Sequence, residues 1–157
     1  MRKILSLIIC IAICSSMIAK PHGRYCVDDF FNDYAGREGT ESSMLGSSTL
    51  RALSERPGLG KKTERLLRSL NRIWAISSSS DNSQFLADAQ LTTKSRNDYE
   101  LTQYFDKGGE TVSIYFSERP PKSLIMISVS PVKISYMEIR GEFSLLDVGD
   151  LTAINAF

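Results

Sequence analysis

Three short segments near the C-terminus limit the fold more than any other feature of this chain. Val112, Ile114 and Phe116 alternate with Thr111, Ser113 and Tyr115, Leu124 to Val129 is almost continuously apolar, and Ile134, Tyr136, Glu138 and Arg140 interleave with Met137 and Ile139. Successive side chains of a strand point to opposite faces, so these patterns predict three strands. The connections are short, with a turn at Pro120-Pro121, and they predict an antiparallel meander. Gly141 is expected to mark a bulge before Phe143, and Leu145 to Ile154 to form a short closing helix.

Upstream the period changes. Val27, Phe30, Phe31 and Tyr34 recur at helical spacing, and Asp28 and Asp29 stand in the first turn, where carboxylates complement the helix dipole. Gly36 and Gly39 read as helix stop and tight turn. Glu41 to Leu45 is a strand candidate, and Ser47 or Ser48 is expected to cap a helical turn through Leu50 and Leu53 that stops at Pro57. Between Lys61 and Asn71, Leu66, Leu67 and Leu70 lie on one side of an amphipathic helix and basic residues on another. Ile73-Trp74-Ala75-Ile76, closed by Ser77 to Ser80, predicts a strand covered on both faces. Phe85 to Ala89 opens a second long helical region, which Tyr99, Leu101, Tyr104 and Phe105 continue to a stop at Gly108-Gly109; its polar middle, Leu91 to Asn97, is where it can break. The order predicts a single α+β domain: a mainly antiparallel sheet ending in a three-stranded meander, with helices packed on one face.

The N-terminus points to a compartment. Arg2 and Lys3 precede an apolar run from Ile4 to Ile13, followed by Ser15, Ser16 and Ala19, the layout of a secretory signal peptide. A helix of that length rises only about 15 Å, half a hydrocarbon core, so no permanent transmembrane span is expected. Cleavage is expected after Ala19, with Ser16 as the alternative. This divides the chain into a signal peptide (1–19), a flexible leader (20–25) and one domain (26–157). Cys10 and Cys14 raise the alternative of a lipoprotein signal, which ranks second because Ile9 and Ile13, rather than small residues, precede them. After cleavage at Ala19 only Cys26 remains, so an exported chain would have no internal disulfide and its core must supply the stability.

The chemistry available is narrow. With 19 basic and 18 acidic residues the net charge is +1, which offers no general footprint for nucleic acid. One histidine, His22, and one retained cysteine do not make an ordinary zinc site or a Ser-His-Asp or Cys-His mechanism. Gly58-Leu59-Gly60-Lys61-Lys62-Thr63 is a fragment of a phosphate loop, but its first glycine sits too close to the lysine. No cofactor is expected. Carboxylates at Asp28, Asp29, Glu110, Glu118, Glu138, Glu142, Asp147 and Asp150 are spread across elements, and Glu138 with Arg140 reads as an exposed pair on a sheet face. Trp74 and Tyr136 read as core. The sharpest surface feature is the basic stripe Lys61, Lys62, Arg65, Arg68 and Arg72, which reads first as a solvated helix face balanced by Glu64 and its neighbours and, as the functional candidate, as a contact for an anionic partner such as a lipid surface or an acidic envelope protein.

Three groups of residues carry a resemblance: Phe31-Asn32-Asp33-Tyr34-Ala35-Gly36-Arg37-Glu38-Gly39-Thr40; Tyr99-Glu100-Leu101; and Gly109-Glu110-Thr111-Val112-Ser113-Ile114-Tyr115-Phe116 leading to Ile139-Arg140-Gly141-Glu142-Phe143-Ser144-Leu145. Together, over about residues 26 to 154, the chain resembles the exported family known as domain of unknown function 4252. The Pro120-Pro121 turn departs from the polar or acidic turn expected there. The resemblance implies fold and export in a Gram-negative bacterium, to periplasm or envelope, and no activity, cofactor or catalytic residue. The functional expectation is an exported, non-enzymatic binding or accessory domain; the alternative is a small carboxylate-dependent hydrolase acting on an envelope or host glycan.

Overall fold

A computed structural model describes residues 25–79 and 83–148. The expected signal peptide, the leader up to residue 24, Ser80, and the tail from Gly149, including Asp150, lie outside the described residues. Along the chain run α1 (Val27–Tyr34), β1 (Thr40–Gly46), α2 (Ser47–Ser54), α3 (Lys61–Ser69), β2 (Leu70–Ser79), α4 (Ser83–Lys94), β3 (Glu100–Lys107), β4 (Glu110–Ser117), β5 (Lys122–Val129), β6 (Lys133–Gly141) and α5 (Leu145–Val148). The strands form one six-stranded sheet in the order β1-β2-β6-β5-β4-β3, and every neighbouring pair is antiparallel. The fold is α+β, as the sequence predicts.

The meander has four strands rather than three, because Tyr99 to Phe105 does not continue α4. α4 ends at Lys94 and Glu100–Lys107 is a strand. Leu101, Tyr104 and Phe105 mimic helical spacing, but Gly108-Gly109 is a two-residue hairpin turn between the paired Lys107 and Glu110. Both glycines have positive φ, 65° and 86°, which the mirror-image turns of tight hairpins require. The Pro120-Pro121 turn joins β4 to β5 as expected, with a cis peptide bond between the prolines.

Helices cover both faces of the sheet, not one. Cross-strand partners share a face, and the rows Ile76, Tyr136, Ile127 and Trp74, Glu138, Ile125 lie under α1 and α4. There Phe30, Phe31, Tyr34 and Phe85 pack around Tyr136, and Phe31 stacks on Trp74 with centroids 3.9 Å apart. The opposite row, Ile73, Ile139, Leu124 and Phe116, packs with Leu50 of α2, Leu66 of α3 and Phe143. Apolar residues on both faces of β2 and β5 explain why those segments are nearly continuous in sequence: each strand feeds two cores.

Local chemistry sets the boundaries. α1 buries Val27, Phe30, Phe31 and Tyr34, one stripe at helical spacing. The Asp29 carboxylate caps its start, accepting from the Cys26 N–H at 3.2 Å and the thiol at 3.0 Å. Neither Ser47 nor Ser48 caps α2; the N-cap is Gly46 and Ser47 opens the helix. α3 stops at Ser69, two residues short of the expected end, where the chain turns into β2 against Gly141. The irregularity lies on the strand opposite the glycine, between Leu70 and Arg72 of β2. Gly141 is there for space: a Cβ would sit 2.5 Å from the Ser69 carbonyl oxygen and 2.7 Å from the Leu70 Cα.

Candidate functional site

Arg72 leaves the basic stripe because α3 ends before it. It lies on β2, and its side chain turns under α1. Lys61, Lys62, Arg65 and Arg68 remain exposed on α3. Of these, Arg68 pairs with Glu64 at 3.0 Å and its Nε donates to Ser54 Oγ at 3.3 Å. Ser144 donors hold the Asp147 carboxyl below the usual carboxylate range, and Lys62 and Arg65 add to that shift, so α5 brings a negative charge to the same side. The stripe is shorter and better balanced than its sequence suggests.

Arg72 instead joins a network at the centre of the sheet. Glu138, which the sequence reads as an exposed residue, is fully buried because α1 lies over its face of β6. Its Oε2 accepts from Arg72 Nε at 3.2 Å and Nη2 at 2.6 Å. Its Oε1 accepts from Arg140 Nε at 3.0 Å, Arg140 Nη2 at 2.6 Å and Ser123 Oγ at 3.1 Å. Asp28 of α1 closes the network, with Oδ1 2.6 Å from Arg72 Nη2 and Oδ2 3.9 Å from Arg140 Nη1. Burial draws the Arg72 guanidinium down, but Glu138 and Asp28 outweigh it and leave the group above its ordinary value. The same guanidinium lies 4.7 Å from the centroid of the Trp74 ring, which also stacks on Phe31. Among the described residues no buried side-chain nitrogen or oxygen lacks a partner. Arg72, Glu138, Arg140 and Asp28 therefore join α1 to β2 and β6 as a closed structural unit, with both Glu138 oxygens occupied by donors.

Arg140 also borders an open cleft of about 160 Å³ at the end of the sheet. Its walls are the loop between α4 and β3 (Arg96, Asp98, Tyr99), the β4–β5 turn (Arg119, Pro120, Pro121) and the strand ends Ser117, Ser123 and Arg140. Arg96 Nη2 lies 3.2 Å and Arg119 Nη1 3.9 Å from the same oxygen, Asp98 Oδ2. One carboxylate thus faces two guanidiniums, and a third, that of Arg140, lines the same cleft. The Arg119 side chain is 73% exposed. Burial pushes the Tyr99 phenol up, Glu138 adds to the rise, and Ser123, Arg96 and Arg140 oppose it, so the hydroxyl stays protonated and able to donate at neutral pH. Nothing in local sequence marks this cleft: its arginines come from a loop, a turn and a strand end that only the sheet order makes neighbours.

Other carboxylates singled out in the sequence have separate partners. Asp29 caps α1, Glu110 accepts from Ser128, Glu118 pairs with Lys122, and Asp147 accepts from Ser144. Asp28 and Glu138 do approach one another, but through the arginines between them. Cys26 carries a free thiol; burial and the Asp29 carboxylate push it up, away from thiolate chemistry. Among the described residues no group of three His, Cys, Asp or Glu is placed to hold a metal ion, and no helix is long and apolar enough to cross a membrane.

No family model, curated protein or solved structure matches the chain. The resemblance to domain of unknown function 4252 stays with the motifs that suggest it.

Proposed function

We propose that this chain is an exported, non-enzymatic binding domain of the bacterial envelope that recognises an anionic group, a phosphate or carboxylate carried by an envelope partner, in the cleft beside Arg96, Arg119 and Arg140. The export half of this reading rests on Arg2, Lys3 and the apolar run from Ile4 to Ile13. The observation that carries the binding half is the charge of the walls: Arg96 and Arg119 share the carboxylate of Asp98, and Arg140 lines the same cleft. An incoming oxyanion meets the exposed Arg119 guanidinium, while Arg96, held on Asp98, and Arg140, held on Glu138, add positive charge to the walls around it. The hydrolase alternative has less support, because a glycosidase of the usual kind needs two facing carboxyl groups and, among the described residues, the cleft wall contributes Asp98 alone.

The test is titration of the protein with inorganic phosphate, with glucuronate and with phosphatidylglycerol vesicles, followed by calorimetry or amide chemical shifts. Arg119→Glu is expected to weaken binding by at least about fivefold, since each basic residue near an anionic surface contributes on the order of 1 kcal/mol. Added salt should weaken it in parallel. Reversing Lys61 and Lys62 on α3 separates the two surfaces: if that change abolishes binding and Arg119→Glu does not, the stripe is the binding face and the cleft reading fails.

A further inference from the structure

β3 is an edge strand of eight residues, and every one of them is exposed. Leu101 and Tyr104 stand on one face at 56% and 57% exposure, and Phe105 on the other at 52%. Among the described residues nothing covers either sheet face here, and no strand lies beside the outer backbone edge. A long apolar edge of this kind is a template for pairing with another strand. We infer that the occupant is the β3 of a second copy of this chain, paired antiparallel about a two-fold axis at Tyr104, so that two sheets join into one.

The register against β4 makes the argument. Glu100, Leu101, Gln103, Tyr104, Phe105, Asp106 and Lys107 occupy successive pairing positions, and Thr102 is the extra residue of a bulge. Thr102 Oγ1 donates inward to the Ile114 carbonyl, which leaves the outer edge to the seven paired positions. Seven positions have a centre, Tyr104, and antiparallel self-pairing about it aligns the strand over its full length. Tyr104 then opposes its own copy, Gln103 opposes Phe105, Leu101 opposes Asp106 and Glu100 opposes Lys107. Each pair keeps its side chains on the same sheet face, and the two end pairs match opposite charges. The other edge lacks this complementarity: β1 carries one charged residue, Glu41, and one largely exposed apolar side chain, Met44. An edge of seven positions falls short of the roughly 1,200 Å² of a stable interface, so the dimer is weak and concentration-dependent.

Sedimentation velocity of the processed protein across a concentration series is expected to show monomer passing to dimer. Lys107→Glu should raise the dimer dissociation constant roughly threefold to tenfold, from two end pairs turned repulsive. The charge swap Glu100→Lys with Lys107→Glu should restore it. Tyr104→Cys in a Cys26→Ser background should oxidise to a covalent dimer across the axis, since directly opposed residues lie within disulfide reach. Circular dichroism of each variant confirms that the exposed substitutions leave the fold intact. A protein monomeric at every concentration, a dimer indifferent to Lys107→Glu, or a charge swap that fails to rescue overturns the inference. Pairing of β3 with residues 149–157 of its own chain, read as a monomer whose β3 amides are protected from exchange, overturns it as well.

Discussion

Glu138 is a side chain on which interactions from three elements converge. It is fully buried, carries five hydrogen bonds, and balances two guanidiniums that reach it from β2 and from its own strand. Removing its charge leaves Arg72 and Arg140 with Asp28 as their remaining counter-ion. Breaking one partner out of a buried ion pair costs about 3–5 kcal/mol, far more than the intact pair contributes over an apolar replacement. Glu138→Gln is therefore expected to destabilise the domain by about 3 kcal/mol in urea unfolding, whereas Ser123→Ala, which removes one donor to the same carboxylate, should cost about 1 kcal/mol. Equal effects from the two would show that the charge is not what the site depends on. That Glu138 and Arg140 share a face was legible from their spacing of two. That they are buried was not, because burial is supplied by α1 and the second arginine comes from Arg72, 66 positions earlier.

At the scale of elements, the contact between the start of β2 and the end of β6 sets how closely the α3 side can approach. Gly141 has no room for a side chain: backbone atoms of Ser69 and Leu70 occupy the space, and the Glu142 N–H donates to the Ser69 carbonyl at 2.9 Å. Gly141→Ala is expected to cost about 1–3 kcal/mol through displaced backbone, read as a lower urea midpoint with an unchanged m-value. A variant as stable as the parent would mean that the two elements can separate freely. The glycine was visible in sequence as an irregularity, but its cause was not, since the clash is with Ser69 and Leu70, far earlier in the chain. β3 departs from its sequence pattern for the opposite reason. Leu101, Tyr104 and Phe105 satisfy a helical period by chance of spacing, and an edge strand with neither face covered has no alternation for a core to impose. Gly108-Gly109 leading directly into the Val112 alternation was the signal that a hairpin stood there.

The whole molecule should respond to alkali more than its near-neutral composition suggests. Tyr25, Tyr34, Tyr99 and Tyr136 all have phenols pushed above the usual value, with burial the largest cause; Asp33 adds to it at Tyr25 and Asp88 at Tyr34, each carboxylate accepting the hydroxyl's hydrogen bond. A group whose folded value is raised contributes stability that is fully present below its unfolded value, near 10 for tyrosine, and lost as the pH rises toward the folded one. Unfolding free energy is expected to change little on approach to about pH 9 and to fall above about pH 10, with tyrosinate absorbance appearing together with unfolding. Tyr34→Phe should flatten that decline, and ionisation of all four phenols in a still-folded protein would contradict the reading. The α+β class, α1, the amphipathic α3 and the strands from Val112 to Arg140 were determined by sequence alone, because each follows from the period of its own apolar residues and the turns beside them. The division of helices between two faces, the burial of Glu138, the removal of Arg72 from the basic stripe and the gathering of Arg96, Arg119 and Arg140 around one cleft were decided only by tertiary structure. Each depends on the order β1-β2-β6-β5-β4-β3, which places side by side residues that no local period relates.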